Sequence, residues 1–286
     1  MSDIKFSLIS LDGLSELGQS LLDKISNAIG WVATKNTPRR IAIQTYIEEI
    51  KNGSFDPITK AVLISNAKKT IAEYSNQNSI VQHAIANMNQ TAHPESVEND
   101  WISQFMDKAR LVSDADFQLI WGRILAEECN IPGSVPRSLL HILEQMDRND
   151  AEKFTKLASF SIYVIEDNNR NYSPVVIEKH LRDYYTKHGI DFDSLIDLQA
   201  LGLIKASVGM FTPEYCSTCS TSPIVVHYYE KQYVLPTCIS DLPVGNVIYT
   251  KAGQALCQAI ETEEQEGFFE QYYIPFLSER LNQNKP

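Results

Sequence analysis

Nowhere in these 286 residues does an apolar run approach the roughly 20 positions that span a bilayer, which excludes a chain built around transmembrane helices. Positive charge is also in short supply. The 25 Lys and Arg face 36 Asp and Glu, a formal net charge of -11, whereas broad binding to nucleic-acid phosphates needs clustered cations. Nucleic acid is therefore an unfavoured partner, although a local basic face stays open. Cysteine is scarce and odd in number at five, so no disulfide framework is implied and thiols are expected in a reducing cytoplasm. The start, MSDIKFSLISLDG, carries Asp3 and lacks the apolar core of a secretory signal, so cytoplasmic residence is expected. Also missing are a Gly-rich phosphate loop, a Gly-x-Ser-x-Gly elbow and a His-Glu-x-x-His helix, and these absences argue against an enzyme.

What is present is helical periodicity. Leu14, Leu17, Leu21, Ile25, Ala28, Ile29 and Val32 recur every three or four positions, one stripe of an amphipathic helix. Thr37-Pro38 restarts a helix through Ile41, Tyr46, Ile47 and Ile50 that ends at Asn52-Gly53, where positive φ is available. Asp56-Pro57 opens a long helical pattern towards Asn89. His93-Pro94-Glu95-Ser96 reads as a boundary. Beyond it, Trp101, Ile102, Phe105 and Ala109 mark a helix that stops before Ser113, and Ser113 with Asp116 resembles an N-cap for the face of Phe117, Ile120, Trp121, Ile124 and Leu125. Pro136 suits the first turn of a helix bearing Leu139, Leu140, Ile142 and Leu143, and Asp147 or Asn149 can cap another through Phe154, Leu157 and Phe160.

From Ser161 the texture changes. Ile162 to Ile165 is β-rich, helices are expected from Pro174 to His188 and from Phe192 to Leu201, and Leu203-Ile204-Lys205, Ile224 to Tyr229 and Lys231 to Leu235 are strand-like. Extended Val247-Ile248-Tyr249 precedes a helix capped by Thr250. An aromatic segment, Phe268 to Phe276, needs a surface to pack on. The expected fold is mainly α: a helical N-terminal region (1–92), a compact helical middle domain (97–160) and a small winged-helix-like α+β C-terminal module (161–286).

The middle and C-terminal blocks resemble a bacterial family of domains of unknown function, family two-eight-zero-six. The resembling strings are Trp101 to Phe105, Val112-Ser113-Asp114, Ile120 to Glu128, Pro132-Gly133-Ser134, Leu198 to Ile204 and Thr250 to Gly253, with Gly13-Leu14-Ser15 and Ala28 to Trp31 near the start. Val135-Pro136 departs from the expected Ser, Thr or Arg after Pro-Gly-Ser and stiffens that corner. A weaker resemblance, of the "LAEE" helix followed by Asp150-Ala151-Glu152, is to the abortive-infection alpha family, and it implies a role in defence against phage.

Four candidate sites follow from the residues. Cys216 and Cys219 form a Cys-x-x-Cys pair read first as structural or incidental; it could give two zinc ligands, with Cys238 and His227 or Cys257 to complete four, but the second tight pair of a strong zinc site is missing, and the loop-like Pro213 and Ser-Thr-Ser-Pro surroundings disfavour a redox pair. Glu127 and Glu128 lie near Arg123, Arg137 and His141, but adjacent residues of a helix point about 100° apart and cannot both face one centre. The expectation is a rigid corner built from Trp121, Glu127, Glu128, Pro132, Gly133 and Arg137, with one glutamate paired to Arg123 or Arg137 and the other solvated. The stripe of Leu14, Leu17, Leu21, Ile25 and Ile29 either covers a core or an oligomer contact, or lies on a membrane surface with Trp31 as anchor and Arg39 and Arg40 at the headgroups. Finally, the helix over 174–188 carries Lys179, His180, Arg182, Lys187 and His188 beside Glu178 and Asp183, a mild basic face.

These features lead to the expectation of a cytoplasmic, non-enzymatic sensor, adaptor or effector in anti-phage defence. It would act through a protein partner or a homo-oligomer, or at a membrane or vesicle surface as a peripheral protein, with no cofactor unless the cysteines hold zinc. A winged-helix DNA-binding regulator is the alternative.

Overall fold

The computed structural model describes residues 15–30, 40–166, 169–212, 224–235 and 242–283. Eleven α-helices and six strands are found among them, and the strands all lie in the C-terminal part: a mainly α protein with a small α+β module. The chain divides into two compact units, Met1–Leu140 and His141–Pro286. The expected boundary at 93–96 lies inside the first unit, where it forms a packed 3-10 turn, Pro94–Ser96, with Pro94 buried.

The first unit is helical. Helix α1 (Glu16–Ile29) starts at Ser15, whose side chain accepts from the Gly18 amide, and ends at Gly30 with φ +69°. Helix α2 (Arg40–Asn52) follows; Gly53 after it does not adopt the positive φ expected of it. Helix α3 (Pro57–Asn87) begins where Asp56-Pro57 indicated, with Asp56 accepting from the amides of Ile58 and Thr59. Helices α4 (Asn99–Ala109) and α5 (Ala115–Asn130) complete the core. The cap of α5 is Asp114 rather than Ser113: its carboxylate, one residue closer, accepts from the amides of Asp116 and Phe117.

Gly122 decides how α3 meets α5. A Cβ there would sit 2.3 Å from the His83 Cβ and 2.9 Å from the Ile80 carbonyl oxygen, so the bare backbone lets the helices touch along Ile80, Val81 and Ala84, all fully buried. Trp101 stacks on Phe105 at 5.1 Å, and Trp121 tilts against Phe105 at 5.2 Å. Side chains of α3 reach the C-terminal end of α4: Gln77 donates to the Met106 carbonyl, which also accepts from the Arg110 amide, and Asn76 donates to the Arg110 carbonyl, each side-chain bond at 2.9 Å.

Helix α6 (Arg137–Gln145) crosses the division between the units. In the second unit, Asp147 caps α7 (Arg148–Ala158) through a reciprocal capping box with Asp150. Strands β1 (Ser161–Glu166) and β2 (Asn169–Pro174) pair antiparallel, and a four-stranded sheet in the order β2-β1-β4-β5 is completed by β4 (Val225–Tyr228) and β5 (Lys231–Val234). Strand β2 is missing from the sequence expectation, and the helix placed at 174–188 begins later, as α8 (Glu178–Lys187). The reason is tertiary: Pro174 is in register with Ser161, the Val175 amide donates to Phe160, and Val176 bridges Gly245, which keeps the backbone extended. Helix α9 (Phe192–Ala200) turns at Gly202, φ +82°, into β3 (Ile204–Phe211), which pairs with β6 (Gly245–Tyr249) in a second, two-stranded sheet. Thr250 caps α10 (Lys251–Ala259) as expected.

The aromatic tail finds its surface on the four-stranded sheet. A π-helical turn, Phe269–Tyr273, leads into α11 (Ile274–Gln283), and Phe268, Phe269 and Tyr273 are buried. Phe269 stacks on Tyr228 at 5.3 Å, and Phe268 meets Phe160 edge-on at 4.9 Å. Lys231 ties the edge strand to Glu264 and Glu270.

Candidate functional site

The corner between α5 and α6 is where a cluster of charges looked chemical. Glu128 is buried, and its two oxygens accept from the Gly133 amide at 2.8 Å and the Val135 amide at 2.9 Å. The carbonyl of Val135 accepts from the Trp101 indole at 3.0 Å, so this residue is gripped at both ends. Arg137 reaches Glu98 instead, at 2.8 Å. Of the two expected cationic partners, Arg123 or Arg137, Arg137 is thus taken by Glu98, and Glu128 receives backbone amides at the turn where Gly133 has φ +87°. Burial pushes the Glu128 carboxyl above its ordinary value, opposed by the Gly133 and Val135 hydrogen bonds. Both oxygens are engaged in holding the turn. Trp121 is fully buried, Glu127 half-buried, and Pro132 exposed.

The stripe of α1 faces inwards. Leu21 and Ile25 are fully buried where α1 packs on α4 and the 3-10 turn, Leu17 is half-buried, and Ile29 is 37% exposed. At the edge of the same face, Lys24 donates to the Glu95 carbonyl of that turn at 3.1 Å. For Leu21 and Ile25 to touch a bilayer or a partner, the helix would have to leave this packing. Leu14, Trp31 and Arg39 lie outside the described residues, as does the side chain of Arg40. No described helix is long and apolar enough to cross a membrane.

Cys216, Cys219 and Cys238 also lie outside the described residues. Among the described residues, no group of three or more His, Cys, Asp and Glu is arranged to hold a metal ion. Cys129 and Cys257 are buried thiols, each pushed up to about 12 by burial. Such thiols are protonated and poorly nucleophilic. Of the mild basic face read on α8, the side chains from Glu178 to Arg182 are outside the description, while Asp183 and Lys187 are exposed.

The feature that sequence reasoning missed is the outer face of the four-stranded sheet. Its inner face buries Ile162, Val164, Val226 and Tyr228. Alternation sends Tyr163, Ile165, Arg170, Tyr172, His227 and Val234 the other way. Tyr172, Tyr163 and His227 stand in register across three strands; the Tyr163 and His227 rings stack at 4.8 Å and 8°, and Tyr172 tilts against Tyr163 at 5.3 Å. The Arg170 guanidinium lies 5.1 Å from the Tyr163 ring centroid. Ile165 and Val234 beside this row are exposed. None of the described strand residues on this face is acidic, in a chain with a net charge of -11. Burial, then Arg170, push the His227 imidazole below its ordinary value. The row arises only where β2 and β4 pair on either side of β1, which no local spacing in the sequence signals.

A helical first unit and a sheet-bearing second unit define a mainly α protein with a small antiparallel module. The chain belongs to the family described as Protein of unknown function (DUF2806), which matches residues 65–272. That match gives no support to a likeness to the abortive-infection alpha family. No curated protein and no solved structure matches the chain. The resembling strings have a structural meaning. The Trp101 string, the 120–128 string and the Pro-Gly-Ser corner converge on Val135. Likewise the 198–204 and 250–253 strings are joined, the Thr250 amide donating to the Leu203 carbonyl at 3.0 Å and its hydroxyl to Gly202 at 2.7 Å.

Proposed function

We propose that this chain acts by contact, as a non-enzymatic sensor, adaptor or effector, and that the outer face of the four-stranded sheet receives a protein partner with an apolar, acid-bearing surface. The observation that carries this is the row of Tyr172, Tyr163 and His227 flanked by Arg170, Ile165 and Val234. Tyr and Arg around apolar residues, without carboxylates, are the residue types that dominate binding energy at protein interfaces. That none of the described strand residues on this face is acidic is what points to an acid-bearing partner.

Anti-phage defence is the finer part of this proposal and rests on the sequence resemblance alone. It implies that the partner is met, or released, during infection. The test is affinity capture with the full chain from infected and uninfected cells, followed by direct binding of the purified captured protein. Ile165→Glu with Val234→Glu is expected to weaken that binding at least about tenfold. Undiminished binding by the double variant would remove the sheet face from the proposal. Salt-dependent binding of DNA to the wild-type chain, lost in the same variant, would favour the regulator instead.

A further inference from the structure

Apolar residues are exposed together at the hairpin of α2 and the first half of α3. Ile58 is 77% and Val62 51% exposed, and their i, i+4 spacing puts them on one face of α3, with exposed Ala61 and Ser65 beside them. Tyr46 and Phe55 are exposed on the same hairpin. All four large residues precede residue 65, where the family match begins.

Charge is sorted between the two helices. Exposed Glu48 and Glu49 stand on α2, accompanied by Lys51. Between Asp56 and Glu73, α3 carries Lys60, Lys68 and Lys69 and no acidic residue. Lys60 is already held by the Lys51 carbonyl at 2.7 Å, whereas Lys68 and Lys69 project into solvent, Lys69 reaching Glu73 at 3.8 Å. One hairpin thus bears an acidic patch, a basic patch and an apolar stripe. A surface that holds both halves of a charge complement fits a copy of itself turned by a two-fold axis, because each patch then meets its opposite twice and the assembly closes.

We infer that this hairpin is a dimerisation surface occupied by the same hairpin of a second copy of the chain. The two hairpins lie antiparallel, with Glu48 and Glu49 of each copy facing Lys68 and Lys69 of the other, and Ile58 and Val62 buried between them. The sheet face in the second unit takes no part.

Sedimentation equilibrium of the full chain tests this. The expected mass is twice the 32.3 kDa of one chain. Ile58→Glu with Val62→Glu is expected to give a monomer with unchanged helix content. Glu48→Lys with Glu49→Lys, and separately Lys68→Glu with Lys69→Glu, are each expected to raise the dissociation constant at least about tenfold, and mixing the two is expected to restore a heterodimer. The charge variants alter exposed side chains only, so they decide the matter even if the apolar double variant fails to fold. A wild-type chain that stays monomeric at about 100 μM overturns the inference, as does a dimer indifferent to both charge reversals or a mixture that fails to associate. Because the hairpin variants leave the sheet face intact, partner capture and dimerisation fail separately.

Discussion

From Pro57 to about the middle of its length, α3 turns Ile58 and Val62 to solvent, whereas further along the same helix buries Asn78, Ile80, Val81 and Ala84 against its neighbours. Helix propensity does not differ enough between the halves to explain this. What differs is the partner: the second half lies on Gly122 of α5 and is clasped by α4, whereas α2 packs beside α3 without covering Ile58 and Val62. The same apolar residue type therefore builds a core at position 80 and a contact surface at position 58.

Four substitutions would break or sharpen that contrast. All three tryptophans of the chain, Trp31, Trp101 and Trp121, fall in the first unit, so fluorescence-monitored urea unfolding reports on that unit. The largest effect is expected from Ile80→Ala, about 3 kcal/mol of destabilisation, since it opens a cavity at a fully buried site. Gly122→Ala should cost about 2 kcal/mol through overpacking against His83 and the Ile80 carbonyl. Stabilities equal to wild type in both would mean that the α3–α5 contact is not what holds the buried half.

Glu128→Gln comes next, at about 1.5 kcal/mol, because an amide can accept through only one of the two positions now facing backbone N–H groups. It also carries a pH signature. Burial raises the folded-state carboxyl above 4.5, so just above that value the native chain holds a proton that the unfolded chain has shed. Stability contributed here falls as pH rises through that window and levels off above the folded value; the glutamine variant should lack this slope. The smallest effect is expected from Ile58→Ala, below about 0.5 kcal/mol for the monomer, measured at concentrations where the chain does not associate. A cost matching that at Ile80 would show that the first half of α3 is covered after all.

Much of this was legible in sequence. Asp56-Pro57, Asp147 or Asn149, and Thr250 mark helix starts in the sequence because a capping side chain acts on amides two or three residues away, and the structure selects Asp147 of the middle pair. The buried faces of α1, α4 and α5 followed from apolar spacing, and the Pro-Gly break between α5 and α6 was legible as a turn. Its chemistry was not: adjacent glutamates look alike in sequence, and only the turn at Gly133 reveals which one receives two amides. Strand β2, with the sequence NRNYSP, has no strand signal of its own and exists through its register with β1. From that pairing comes the aromatic row of the sheet face.

The sequence by itself determined where helices begin, which faces are apolar and which family strings are present, because those properties depend on residues within about four positions of one another. Tertiary structure alone decided which apolar residues become core and which stay outside, where Glu128 sends its carboxylate, and which rings align across the sheet. Those outcomes depend on groups brought together from far apart in the chain, and neither propensity nor local spacing carries information about them.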